Sequence, residues 1–147
     1  MAEILDPIHN QLNAPFWAAA EAGRLTLPTC TATGRAFWPP SPVSPFVTSG
    51  AVEWRAFKAV GRLLSVVVYR RVFQRTFEPL TPYGVGLVEL DCGPRLMAHV
   101  PNPDDPDAPR AGQRARLDFI RLFDGGPAIP ALFQLNARDS AMQGRPK

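Results

Sequence analysis

From residue 52 onward apolar and polar positions alternate. Val52, Trp54 and Ala56 fall on one side and Glu53 and Arg55 on the other, the period-two pattern of a strand with one face turned inward. A longer run over residues 60–71, centred on Leu63-Leu64-Ser65-Val66-Val67-Val68-Tyr69, predicts a long strand. After a loop holding Pro79 and Pro82, residues 83–91 and 95–100 flank a Gly93-Pro94 turn and read as a hairpin. A proline-acid loop follows over 101–109, then strands at 115–123 and 129–135 on either side of Gly125-Gly126-Pro127. Five strands with the longest connection between the third and fourth have the order of a five-stranded Greek-key OB barrel, so the fold class expected is mainly β.

Ahead of the barrel the pattern changes. Pro15 suits the first turn of a helix running through Phe16, Trp17 and an alanine run to Gly23, which suits its C-terminal cap. Leu25 and Leu27 then alternate with Arg24 and Thr26 as a strand would. Residues 1–14 read as an arm that orders on contact, because Pro7, Asn10 and Asn13 interrupt a helix whose stripe would hold Ile8 and Leu12. The tail after Arg138 is polar and expected to fray. The expected organisation is an arm and helix over 1–23, a small module over 24–51, the barrel over 52–137 and a tail over 138–147, all in one compact unit.

The small module carries a spacing with chemical meaning. Cys30, Thr33, Ser44 and Val47, with Gly34 and Pro45, stand in the frame C-x-x-C-G followed by C-P-x-C, the layout of a four-cysteine zinc ribbon. Only Cys30 keeps a thiol. Tetrahedral structural zinc needs four thiolate or imidazole ligands and valine has no donor atom, so no zinc is expected. A structural zinc contributes on the order of 10 kcal/mol in zinc-finger peptides, and something must replace it. Phe37, Trp38, Val43, Phe46 and Val47 are the apolar side chains at hand.

These stretches, in this order, carry a resemblance. Pro15-Phe16-Trp17 with Gly23-Arg24-Leu25-Thr26-Leu27, the ribbon frame, residues 83–90 and Gly93-Pro94-Arg95-Leu96 together resemble the family called "domain of unknown function 35", over roughly residues 15 to 135. The chain departs from that family's pattern at three of the four ligand positions. The resemblance implies a rubredoxin-like ribbon, here degenerate, joined to an OB fold. It also implies a role: a non-catalytic accessory subunit of a thiolase-like, lipid-transfer-type or acyltransferase enzyme, helping to position an acyl-CoA while the partner carries the catalytic residues. Related assemblies include steroid side-chain aldolases and ketoacyl condensation systems. Phe16, Trp17, Phe37 and Trp38 are the aromatics expected at a partner interface, the alternative being that they pack the ribbon internally.

Composition narrows the field. The 147 residues are 46% hydrophobic, no apolar run approaches the ~20 residues of a membrane span, and residues 1–6 show neither a basic start nor an apolar core of a signal peptide. A cytoplasmic location without membrane contact is expected. Two cysteines, Cys30 and Cys92, are no disulfide framework and read as free thiols. The formal charge is +3, yet only Lys58 and Lys147 are lysines. Arginine is the better fork for phosphate.

The strongest charged feature is Arg70-Arg71-Val72-Phe73-Gln74-Arg75 with Phe77, at the end of the long strand. Arg70, Arg71, Phe73 and Arg75 could hold the phosphates and adenine of a coenzyme A thioester by bidentate pairing and stacking, or could face a partner. A solvated strand end is the plainer reading. Single-stranded nucleic acid is the alternative ligand for such a cluster on an OB barrel. Against it stand the Asp104, Asp105, Asp107 loop and Glu89 with Asp91 on a barrel strand, which interrupt a basic groove. The chain lacks G-x-S-x-G, His99 reads as a wall residue of the barrel, and no triad or calcium loop is present, so no catalytic residue is expected.

Overall fold

The computed structural model describes residues 9–72 and 74–135. Helix α1 spans Ala14–Glu21 with proline in its first turn. It ends where Gly23 adopts φ +73°, letting Arg24 N–H reach back to the Ala19 carbonyl at 2.9 Å. Strand β1, Leu25–Cys30, follows directly.

β1 pairs antiparallel with β2, Val52–Phe57, from Leu25 opposite Phe57 to Cys30 opposite Val52. The strand that alternation marks at 52 therefore belongs to the two-stranded sheet of the ribbon, and the barrel begins at Val60. Between them residues 31–51 form a loop tied to β1, with Cys30 N–H on the Arg35 carbonyl, Phe37 N–H on Pro28 and Thr31 N–H on Ala51.

The barrel comprises β3 Val60–Tyr69, β4 Tyr83–Leu90, β5 Arg95–Val100, β6 Arg114–Arg121 and β7 Ala128–Gln134. It closes in the order β3-β4-β5-β7-β6, the OB arrangement the connection lengths predict. A register shift between Leu63 and Ser65 bends β3, so that its first residues pair with β6 while most of its length pairs with β4. Residues 75–80, which alternation leaves as loop, form a 3₁₀ helix over Arg75–Leu80 before β4.

The barrel interior is filled by Leu63, Val88, Leu96, Val100, Leu117 and Leu132, all buried. Gly86 makes this possible: a Cβ there would stand 2.8 Å from Leu132 Cδ1 and 2.9 Å from Leu63 Cδ1. The same core continues through Phe16, Leu25, Leu27 and Ala36, so helix, ribbon and barrel share one apolar interior. Phe16 is the joint. Its ring lies 4.7 Å from Trp38 of the ribbon and 5.9 Å from Phe119 of β6. Glu21 adds a polar clamp, pairing with Arg121 and accepting the Ala128 N–H at 3.0 Å.

Candidate functional site

The register of the first barrel hairpin places Tyr69 opposite Tyr83, and that of the second places His99 opposite Val85. The three rings stack across the strands, Tyr69 on Tyr83 at 5.2 Å and Tyr83 on His99 at 5.6 Å. Phe77, on the 3₁₀ helix, packs against Tyr83 at 5.6 Å and against Phe123 at 6.0 Å. Beside this ladder opens a cavity of about 440 Å³, walled by Trp17, Phe77, Tyr83, Val85, His99 and Phe123 among others.

The chemistry of this cavity is that of a binding site. Its walls hold no carboxylate, thiol or aliphatic hydroxyl among the described residues. His99 is 9% exposed, and burial pushes its pKa below the usual imidazole value, so the ring is neutral near pH 7. Burial, with Tyr69 nearby, raises the Tyr83 phenol above its usual value. Among the described residues no hydrogen-bond partner poises either for proton transfer. Trp17 Nε1 is buried without an acceptor among the described residues, a donor that a bound carbonyl or hydroxyl oxygen would satisfy.

Two further hollows continue from the cavity. Phe77 and Tyr83 are shared with a hollow that also includes Tyr69, Arg71, Val72 and Gln74. Arg71 and Val72 are shared in turn with one lined by Arg70, Arg75, Glu78 and Thr81. An aromatic well thus grades into an arginine-bearing rim along common walls.

The arginines singled out by sequence do not act alike. Arg70 is engaged, its guanidinium donating to both carboxylate oxygens of Asp104 at 2.7 and 2.9 Å. That contact holds the Asp104 carboxyl below its usual range. Arg71 and Arg75 are exposed, and no ion pair holds them among the described residues. Phe73 lies outside the described residues. Of the aromatics expected at an interface, Phe16 is 2% and Phe37 7% exposed, so both pack inside this chain, while Trp17 and Trp38 are half-buried. Phe16 is buried in the core that ribbon and barrel share, whereas Phe37 packs on Phe46 within the ribbon. Tyr69 and Tyr83 escaped sequence reasoning because stacking depends on register, which alternation alone does not fix.

At the ribbon, Cys30 is fully buried. The hydroxyls of Ser44 and Thr33 donate to its sulfur, outweigh burial, and lower its pKa to about 7. Ser44 Oγ also accepts the N–H groups of Phe46 at 3.1 Å and Val47 at 3.4 Å, and Thr33 Oγ1 that of Arg35 at 3.3 Å. Packing adds the Arg35 guanidinium 3.9 Å above the Phe46 ring and Phe37 edge-on to Phe46. One thiol, two hydroxyls and a valine do not fit tetrahedral zinc. No cluster of three or more metal-ligating side chains occurs among the described residues. Cys92 is half-buried, and burial raises its thiol pKa, which keeps it unreactive.

Helix, two-stranded ribbon and closed OB barrel with an aromatic-walled cavity define the class of ribbon-plus-OB modules. Comparison gives the family. The family described as the C-terminal OB-fold domain of ChsH2 matches residues 54–119, and the rubredoxin-like zinc ribbon domain of ChsH2 matches residues 17–44. The chain belongs to the "domain of unknown function 35" family, as the sequence resemblance implied. Among solved structures it is similar to a chain of an "Ltp2-ChsH2(DUF35) aldolase", at 28% identity and a TM-score of 0.71, covering 86% of this chain and 96% of that one. A curated relative, a "Probable enoyl-CoA hydratase alpha subunit" of Thermomonospora curvata, is 32% identical over 116 residues, 78% of this chain and 35% of the relative. The chain thus spans about a third of that relative's length. These relatives fit an accessory role in CoA-related enzymology. No helix among the described residues is long and apolar enough to cross a membrane.

Proposed function

We propose that this chain is a non-catalytic accessory subunit that docks on a thiolase-like, lipid-transfer-type enzyme and helps to position an acyl-CoA. The observation that carries the reading is the graded track: an apolar, aromatic-walled cavity of about 440 Å³ with no catalytic pair, continuous with Arg71 and Arg75. An acyl-CoA has the same gradient, an apolar acyl end and an anionic phosphate end. In this reading the acyl group enters beside Trp17 and His99, and Arg71 and Arg75 face the phosphates. Arg70, pinned by Asp104, shapes the rim. A partner supplies the chemistry, in keeping with the aldolase and hydratase assemblies named among the relatives. The ribbon takes part without zinc, and the cytoplasm is the compartment expected.

Single-stranded nucleic acid fits less well. Arg55, Arg70, Arg95, Arg114, Arg116 and Arg121 each carry a carboxylate partner, which breaks up a basic groove. The test is to tag the chain in its native host, purify it in mild salt and identify co-purifying proteins by mass spectrometry. Near-stoichiometric recovery of a thiolase-like enzyme, whose turnover of an acyl-CoA falls when the chain is removed, is the result expected. Recovery of a hydratase instead would replace the partner class. Recovery alone, or with nucleic acid, would overturn the accessory reading.

A further inference from the structure

Zinc ribbons hold two knuckles together by binding one ion between them, and the ligand atoms must converge on a point. Ligand sulfurs at ~2.3 Å from a tetrahedral zinc lie about 3.8 Å from one another. In this chain the convergence survives although the ligands do not. A Cβ placed on Gly50 would meet Cys30 Sγ at 2.8 Å, Ser44 Cβ at 2.9 Å and Val47 Cγ2 at 2.9 Å. Three of the four frame positions therefore surround one spot. The fourth, Thr33, lies in the turn that Gly34 N–H closes on the Cys30 carbonyl at 2.8 Å.

The atoms that replace the ligands perform their secondary work. Ser44 Oγ accepts the N–H groups of Phe46 and Val47, and Thr33 Oγ1 accepts that of Arg35. Val47, 37% exposed, sets a methyl group beside the same point at Gly50. The result is a knuckle held by hydrogen bonds and local packing in place of coordinate bonds.

We infer that this ribbon is a metal-free knuckle that keeps the ligand geometry of a zinc site, so that restoring three side chains is enough to make it bind zinc. The inference rests on the metal-free reading above and goes beyond it, because loss of zinc alone would let the four positions drift apart. Drift would be the ordinary outcome, since nothing else obliges residues 14 apart in sequence, Cys30 and Ser44, to crowd the same point beside Gly50.

The test compares the full chain with a variant carrying Thr33→Cys, Ser44→Cys and Val47→Cys, both produced in zinc-supplemented medium and passed through metal-free buffer. The variant should retain one zinc per chain by mass spectrometry, and with cobalt(II) substituted it should show the intense d–d absorption of tetrahedral thiolate coordination. Its melting temperature should fall on adding a chelator. The unchanged chain should carry substoichiometric zinc and melt at the same temperature with or without chelator. Stoichiometric zinc in the unchanged chain would overturn the metal-free reading, whereas a folded triple variant that takes up no zinc would overturn the retained geometry alone. Ser44→Cys alone supplies a second reading, free of the burden that three simultaneous changes place on folding. Its new thiol should join that of Cys30 in binding cadmium(II), seen as thiolate-to-metal charge-transfer absorption, and absence of that band would likewise overturn the retained geometry.

Discussion

Gly50 shows how closely single residues are placed in the ribbon. No positive φ demands glycine there; the demand comes from Cys30 Sγ, Ser44 Cβ and Val47 Cγ2, all within 2.9 Å of where a methyl group would sit. Ser44 Cβ is fixed to the backbone and Cys30 is buried, while Val47, 37% exposed, is the one that can turn aside. Gly50→Ala should therefore cost about 1–3 kcal/mol, the range for overpacking a filled interior. Urea denaturation would show it as a lower midpoint at unchanged slope. An unaltered midpoint would mean that the loop opens freely and that the knuckle is not close-packed. The spacing of Cys30, Thr33, Ser44 and Val47 made the ribbon legible from sequence, since a frame survives loss of its ligands. Gly50 was not legible, because its constraint is a tertiary approach that no local pattern records.

At the scale of elements, strands were legible where one face is wet and the other dry. In β4 the burial alternates without a break from Tyr83 to Leu90, so the period is plain. What alternation does not show is the partner: β2 alternates like a barrel strand yet pairs with β1, because the 31–51 loop returns it antiparallel to the strand it left. The aromatic ladder has the same origin, since Tyr69, Tyr83 and His99 meet through the registers of three strands. His99, read from sequence as a barrel wall, is one, and its environment gives stability a pH dependence. Burial lowers its pKa in the folded chain, so as pH falls the unfolded chain takes up the proton first. Its contribution to stability is full above the unfolded value of about 6.5 and is lost as pH drops through the lowered folded value. His99→Phe keeps a ring against Tyr83 and removes the titration. The melting temperature of that variant should fall less than that of the unchanged chain between about pH 7 and pH 5. Parallel curves would mean that His99 is hydrated and that the cavity wall opens.

The molecule as a whole answers the question raised by a ribbon without metal. A two-stranded sheet is at best marginally stable by itself, and the polar knuckle adds hydrogen bonds whose net worth is on the order of 1 kcal/mol each. The missing stabilisation comes from continuity with the barrel: Phe16, Leu25, Leu27 and Ala36 are buried in the same cluster as Leu63, Val88 and Leu132. That is why Phe16, which looks from sequence like part of an interface for another protein, lies at an interface within this one. Phe16 touches both sides, Trp38 and Phe119, and its truncation to alanine should cost about 3–5 kcal/mol. The pattern of the loss is more telling than its size. If ribbon and barrel form one cooperative unit, Phe16→Ala should lower hydrogen-exchange protection of the ribbon amides, such as Cys30 and Phe37, together with that of β4 and β5, and calorimetry should show one transition. If the ribbon were instead secured from within, as a metal-bound ribbon is, its amides would keep their protection while the barrel weakened.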